Sequence, residues 1–415
     1  MFFHSFTHTA KRLCILLAVL SSMSFAGAKD FTQKMDDAIQ FSKKDFVDTI
    51  PIQVIDGAVI VPVEIEGQVR KMLFDTGCTI AVWTGQKESW MKAMDADSVN
   101  LRDANDQIFR KELYTIPTLK IGDLEIRDYP IMAEESMHSF VCGMFDGLLG
   151  FNLVRQGLSF KLDTQDSLLI VTDRKNFFAK ESKGQAMAKY QLSHAYLPFI
   201  KVSSPLGQIK LLFDSGAQGK WFSLPQKELD AWFGPSSKEK KWLDEHTILS
   251  DTTINANIGV WGTLADTLIG RFIHFPQIQI GNLPVNDLYV KTSSHNMSIG
   301  SGLLKQTSMI IDAPRKSFVF LPHNQQTISV GNDDVYINFI PTEAGDTLGC
   351  CKAVVFKGSD AYQKGIRTGD YLLEINGTPI TDVCSIIPFR LSNFQEGLFK
   401  FRSPDGTLKE ARLKK

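Results

Sequence analysis

The chain has 415 residues, enough for two or three domains, and 43% of them are hydrophobic, ample for sizeable cores. Its 45 Lys and Arg balance 46 Asp and Glu, which excludes the basic footprint of a nucleic-acid binder. The histidines are scattered without an H-E-x-x-H pair and the cysteines without C-x-x-C spacing, so the sequence offers no metal site and implies no cofactor.

Residues 1–28 read as an export leader. Lys11-Arg12 precede the apolar run Leu13–Leu20, and Ala26-Gly27-Ala28 supply small residues for cleavage. The run is short for a membrane span, so none is expected after cleavage. Cys14 lies inside the run, which does not support a lipid anchor. The five cysteines beyond it are an odd number, against a full disulfide framework. Residues 29–51 read as a short amphipathic helix and linker.

From 52 to 172 the chain alternates short β-strands with turns. Val61-Pro62-Val63-Glu64-Ile65 and Gly67-Gln68-Val69 lead into Met72-Leu73-Phe74, which stops at Asp75-Thr76-Gly77-Cys78. An aspartate at the buried end of a strand is costly unless it is hydrogen-bonded or shares its charge. A hairpin-like stretch covers Asn105 to Thr115, with Tyr114 as a candidate cleft-wall residue. Gly122-Asp123 marks a two-residue turn, Gly147-Leu148-Leu149-Gly150 follows, and an Asp-bearing hairpin runs from Leu162-Asp163 to Val171.

Residues 173–195 suit a linker. From 196 to 322 the landmarks return in the same order: Leu197-Pro198-Phe199, Gly207-Gln208-Ile209, Leu211-Leu212-Phe213-Asp214-Ser215-Gly216-Ala217, Gly281-Asn282, Ser298-Ile299-Gly300, and a hairpin from Ile311-Asp312 to Phe320. Trp83 and Trp221 stand at similar distances past the two aspartates. Asp-[Ser/Thr]-Gly occurs only at these two places, each time after Leu-Phe, and an ordered set of such pairs indicates an internal duplication. An insertion at Gln226–Glu245, with Leu229, Trp232 and Phe233 at helical spacing, reads as a surface helix with one packed face. A second hairpin-like stretch runs from Ile254 to Thr263 and includes Trp261. In the tail, over 335–415, Ser359–Asp370 leads through a short helix and a Gly turn into the strand Tyr371–Ile375 and the hairpin turn Asn376-Gly377.

Two matching strand ends, each presenting a carboxylate, point to a two-carboxylate catalytic site. Each half resembles a lobe of an aspartic peptidase of the retropepsin and pepsin kind. The pairs Asp75-Thr76-Gly77 with Leu148-Leu149-Gly150, and Asp214-Ser215-Gly216 with Ile299-Gly300, carry the resemblance. Ser298 departs from it, standing where an apolar residue is expected. The tail resembles a PDZ domain of the bacterial type. The expected fold is therefore mainly β: two retropepsin-like β-barrel lobes in tandem plus a small PDZ-like α+β domain.

The resemblance implies an aspartic endopeptidase acting on polypeptide substrate. Asp75 and Asp214 would share a proton and activate water, while Thr76 and Ser215 brace the loops and Gly77 and Gly216 admit close chain approach. Gly150 and Gly300 belong to the segments that thread the loops. Cys78 and Ala217 donate little to a carboxylate, which points to activity at mildly acidic to near-neutral pH. The PDZ-like tail implies capture of a peptide terminus or extended segment, with Leu348-Gly349-Cys350 as a candidate cradle. The leader and the tail together imply a bacterial protein that is periplasmic or secreted. A second reading stays open here: a silent protease fold that binds polypeptide through its cleft and tail.

Overall fold

The computed structural model describes residues 26–414 except 95–97, 106, 219–221, 260–261, 294–296, 325–326, 332–336, 343–345 and 392–395. The expected leader falls outside these residues up to position 25. Its last three residues open helix α1, Ala26–Ala38. Among the described residues no helix is long and apolar enough to cross a membrane.

The chain is mainly β and two-lobed, as the repeated landmarks and the resemblance they carry imply. In lobe one, six strands close on themselves in the order Leu124–Ala133, Ala81–Trp83, Gly147–Leu149, Gln68–Phe74, Ala58–Ile65 and Tyr114–Ile121, the last pairing back onto the first. Lobe two repeats the ring with Leu283–Ser293, Phe222–Pro225, Ser298–Ile299, Gly207–Phe213, Pro198–Ser204 and Gly262–Ile280. The matching order gives the two aspartates equivalent places.

A six-stranded antiparallel sheet joins the lobes. It runs Ala186–Leu192, Ser317–Pro322, Thr307–Asp312, Ser159–Asp163, Leu168–Thr172 and Val47–Pro51. Its central pair brings Phe160 opposite Ile311. Phe74, directly before Asp75, meets Phe160 edge-on at 5.1 Å, and Phe213, directly before Asp214, stacks on Phe318 at 4.7 Å. Buried aromatic pairs of this kind contribute about 0.5–1.5 kcal/mol beyond area burial. The strands that carry the aspartates are thereby fixed to the shared sheet.

The structure corrects several boundaries. Residues 29–51, expected as helix and linker, also contribute the strand Val47–Pro51, and residues 173–195 contribute Ala186–Leu192. Each shows the core only one or two side chains, Ile50 in the first, Ala188 and Tyr190 in the second, so alternation is faint in the sequence. Ile328–Gly331, beyond the expected end of lobe two, pairs with Val285–Leu288. The insertion folds as two helices, Gln226–Trp232 and Lys238–His246, with Leu229 fully buried and Trp232 partly exposed.

The C-terminal region has its own core, including Ile337, Ala353, Leu372, Ile375 and Phe401, under a sheet of six strands whose edge is Ile337–Pro341. It touches both lobes. Cys142 at the end of helix α2, His138–Val141, forms a disulfide with Cys384, closing a separation of 242 residues. On the other side, Phe356 packs on Phe272 of lobe two, and the Lys357 N–H donates to Asp251 Oδ2 at 2.9 Å. The odd cysteine count leaves Cys78, Cys350 and Cys351 as thiols.

Closing so long a loop restricts the unfolded chain. Cys142→Ser should therefore lower stability by about 2–4 kcal/mol. Calorimetry checks this, and the C-terminal region is expected to unfold earlier in the variant. An unchanged transition would mean that the contacts at Phe356 and Asp251 suffice to hold the region.

Candidate functional site

Each candidate carboxylate sits where an apolar strand runs out. Gly147–Leu149 runs parallel to Met72–Phe74, and Asp75 N–H donates to the Leu149 carbonyl at 2.9 Å. In lobe two Ser298 and Ile299 pair with Leu212 and Phe213, and Asp214 N–H donates to the Ile299 carbonyl at 2.8 Å. The chain then turns: Cys78 N–H returns to the Asp75 carbonyl, and Ala217 N–H to that of Asp214. The loops are threaded from behind, with Phe151 N–H donating to Cys78 O and Ser301 N–H to Ala217 O.

The two loops are tied to each other. Thr76 Oγ1 donates to the Phe213 carbonyl and Ser215 Oγ to the Phe74 carbonyl, both at 2.6 Å. In return each hydroxyl oxygen accepts the other residue's N–H at 3.0 Å. Both side chains are fully buried. The quartet satisfies every donor it uses, across the lobe boundary.

This lock brings Asp75 and Asp214 together. Gly77 N–H donates to Asp75 Oδ1 at 2.8 Å and Gly216 N–H to Asp214 Oδ1 at 3.0 Å. A Cβ at Gly77 would lie 2.5 Å from Asp214 Oδ1, and one at Gly216 would overlap the Asp75 carboxyl carbon. Only glycine admits this crossing. Burial raises the Asp75 carboxyl well above its ordinary range, and the neighbouring Asp214 charge and a side-chain hydrogen bond to Asp214 raise it further. The N–H groups of Gly77 and Gly216 oppose this only in part.

The other expected residues fall as follows. A Cβ on Gly150 would strike the Ile80 backbone 2.6 Å away, so the threading segment needs glycine there. Gly300 stands immediately before the turn Ser301–Lys305. Cys78 donates to the Ile80 carbonyl at 2.9 Å, and burial followed by the Asp75 charge pushes its thiol up. Tyr114 packs with the core of lobe one and donates its hydroxyl to Glu112. Near it, Val99–Arg102 and Ile108–Lys111 form the hairpin. Trp221 and Trp261 lie outside the described residues, though the hairpin Thr247–Gly259 with Gly262–Ile280 brackets the latter.

The candidate cradle Leu348-Gly349-Cys350 leads into the strand Cys351–Val355. It lies in the connection between Ile337–Pro341 and Cys351–Val355. The Leu348 N–H is engaged by Asp346, and the Gly349 and Cys350 carbonyls turn back onto Thr342. Arg155 was missed: it stands five residues past Gly150, as Lys305 stands five past Gly300, and its guanidinium donates to the Thr79 carbonyl at 3.1 Å. That repeated spacing was the available signal.

Residues 61–153, which carry the first motif and its threading glycine, match the family model described as Aspartyl protease. No curated protein matches the chain. Solved structures do, among them the crystal structure of aspartic proteinase from Irpex lacteus, at 15% identity and a TM-score of 0.42, covering 68% of this chain and 99% of that one.

Removing one hydroxyl of the quartet strands a buried carbonyl and the partner's N–H. Thr76→Ala and Ser215→Ala are each expected to destabilise by about 1–3 kcal/mol. Because the two residues share one network, the double variant should lose less than the sum. Denaturant titration of the set checks this, and strict additivity would mean that the loops are held elsewhere.

Proposed function

We propose that the chain is an aspartic endopeptidase in which Asp75 and Asp214 form the catalytic dyad. The observation that carries this reading is the pair of buried carboxylates, held from both lobes by the Thr76/Ser215 lock and coupled through a hydrogen bond. The aspartyl-protease match over residues 61–153 supports it.

The chemistry follows from the geometry. Two carboxyls at this separation do not both ionise readily, so the pair holds one proton whose pKa belongs to the pair. The ionised member takes a proton from water, and the protonated member polarises the scissile carbonyl. Water adds to the carbonyl carbon, the dyad returns a proton to the leaving nitrogen, and the C–N bond breaks. Gly77, Gly216 and Ala217 N–H groups fix the carboxyl planes through the oxygens they bind. Substrate in this reading is an extended polypeptide held between the lobes.

The C-terminal region is PDZ-like in this reading, and Ile337–Pro341, which among the described residues pairs on one side only, is the edge an extended peptide would join. Export to a periplasm or the exterior accords with the Cys142–Cys384 bridge, since such bonds persist in oxidising compartments.

Neither Cys78 nor Ala217 carries a hydroxyl for the dyad, and the Cys78 thiol donates instead to the Ile80 carbonyl. With Asp75 raised by burial, the singly protonated pair persists to higher pH than in a well-solvated dyad. Cleavage of a randomised peptide pool is therefore expected to centre at mildly acidic to near-neutral pH. Asp75→Asn and Asp214→Asn should each abolish it while leaving the fold intact. Cleavage that survives either substitution would sink the dyad, and an optimum confined to strongly acidic pH would refute the electrostatic account.

A further inference from the structure

The basic residues that follow the two threading glycines are answered differently. Lys305 forms an ion pair across the lobe boundary with Asp56, in the turn ahead of Ala58–Ile65. Arg155 faces the corresponding turn of lobe two, ahead of Pro198–Ser204, and finds Tyr196 there, with the guanidinium carbon 5.6 Å from the ring centroid. That turn, Ser193-His194-Ala195-Tyr196-Leu197, carries no carboxylate.

Helix α1 supplies the missing one. Arg155 Nε donates to Asp36 Oδ2 at 2.8 Å and Nη2 to Asp36 Oδ1 at 2.6 Å. The side chains are 5% and 8% exposed. A bidentate pair fixes the guanidinium plane, and the plane decides where Nη1 points. Here it points at the carbonyl of Thr79, in the loop that begins with Asp75, and the Thr79 hydroxyl in turn donates to Ala195 of lobe two.

The neighbouring side chain places α1 on the carboxylate's side of the lobe. Met35 is buried in a cluster with Leu73, Ile80 and Val82. Along a strand, alternate residues share a face. Phe74 points into the main core, whereas Leu73 and the residue two further on, Asp75, share the other face.

We propose that Asp36 is a positioning residue for the Asp75 loop, acting through Arg155 and the Thr79 carbonyl, and that α1 is a working part of the site. This rests on the aspartic peptidase reading. A leader ending at residue 28 leaves Asp36 in place. The groups that face the guanidinium or share its field are Asp36 on α1, Tyr196 on the lobe-two turn, and Cys78 and Tyr129 in lobe one. Without Asp36 the positive charge is uncompensated and favours the ionised dyad.

The test is steady-state peptide cleavage across pH by the full chain, as wild type, Asp36→Asn, Asp36→Glu and the double variant Asp36→Leu/Arg155→Met. The double variant removes both buried charges together, a change folded proteins commonly tolerate. Asp36→Asn should lose roughly tenfold to a hundredfold in kcat with a smaller change in KM, since a displaced catalytic loop acts on the chemical step. Its pH profile should move to lower pH, and Asp36→Glu should recover most of the rate. The double variant should be folded by near-ultraviolet circular dichroism, with kcat equally depressed. Folded Asp36→Asn or double variant with wild-type kcat and pH profile would overturn the inference. If Asp36→Asn does not fold, the double variant decides. A wild type that cleaves nothing would instead bring down the peptidase reading, and this inference with it.

Discussion

Everything in this molecule depends on one constraint: two carboxyl groups must lie side by side out of water without driving the lobes apart. Desolvation and mutual repulsion both oppose ionisation there. The opposing force is the four-bond lock of Thr76 and Ser215, which satisfies buried N–H and carbonyl groups from both lobes at once. Breaking it would leave orphaned polar groups at the centre of the protein, and that penalty exceeds the net value of any one of the bonds. The aromatic pairs Phe74–Phe160 and Phe213–Phe318 anchor the same strands one residue back. The aspartates are therefore held by the shared sheet as much as by their loops.

The repeated strand order gives Asp75 and Asp214 matching places, and the departures from symmetry show where the two halves differ. Lobe two has the helical insertion and the long hairpin, and lobe one has α1 and the α2 segment that carries Cys142. Beside the two aspartates Cys78 and Ala217 hold corresponding positions, the thiol donating to the Ile80 carbonyl and the Ala217 N–H to Asp214 Oδ1. At the loop supports, Lys305 finds its carboxylate in the other lobe's turn whereas Arg155 finds one in a helix far upstream in the chain.

What could be read in the sequence was whatever the chain must encode locally. An apolar alternation ending in Asp, a hydroxyl residue and then glycine prescribes a strand, a turn and a close crossing, and it does so twice. The barrel form of each half was implied by the family resemblance those motifs carry rather than by the alternation itself. What stayed hidden was settled by partners more than a hundred residues away. Val47–Pro51 pairs with Leu168–Thr172, Asp36 with Arg155, and Cys142 with Cys384, and none has a local signature. Ala186–Leu192 was hidden for a different reason: it buries only Ala188 and Tyr190, and the exposed Lys189 between them and Gln191 after them imitate a linker.

The C-terminal region bears on the lobes through the same kind of long-range tie. It is covalently joined to lobe one beside α2, whose neighbours Met137, Val141 and Phe145 belong to the apolar cluster on the Asp75 face. It also packs on the base of the lobe-two hairpin through Phe356 and Asp251. A body held at both lobes resists their relative rotation. That restraint is carried by the Cys142–Cys384 disulfide on lobe one and by the Phe272–Phe356 contact and the Lys357–Asp251 hydrogen bond on lobe two.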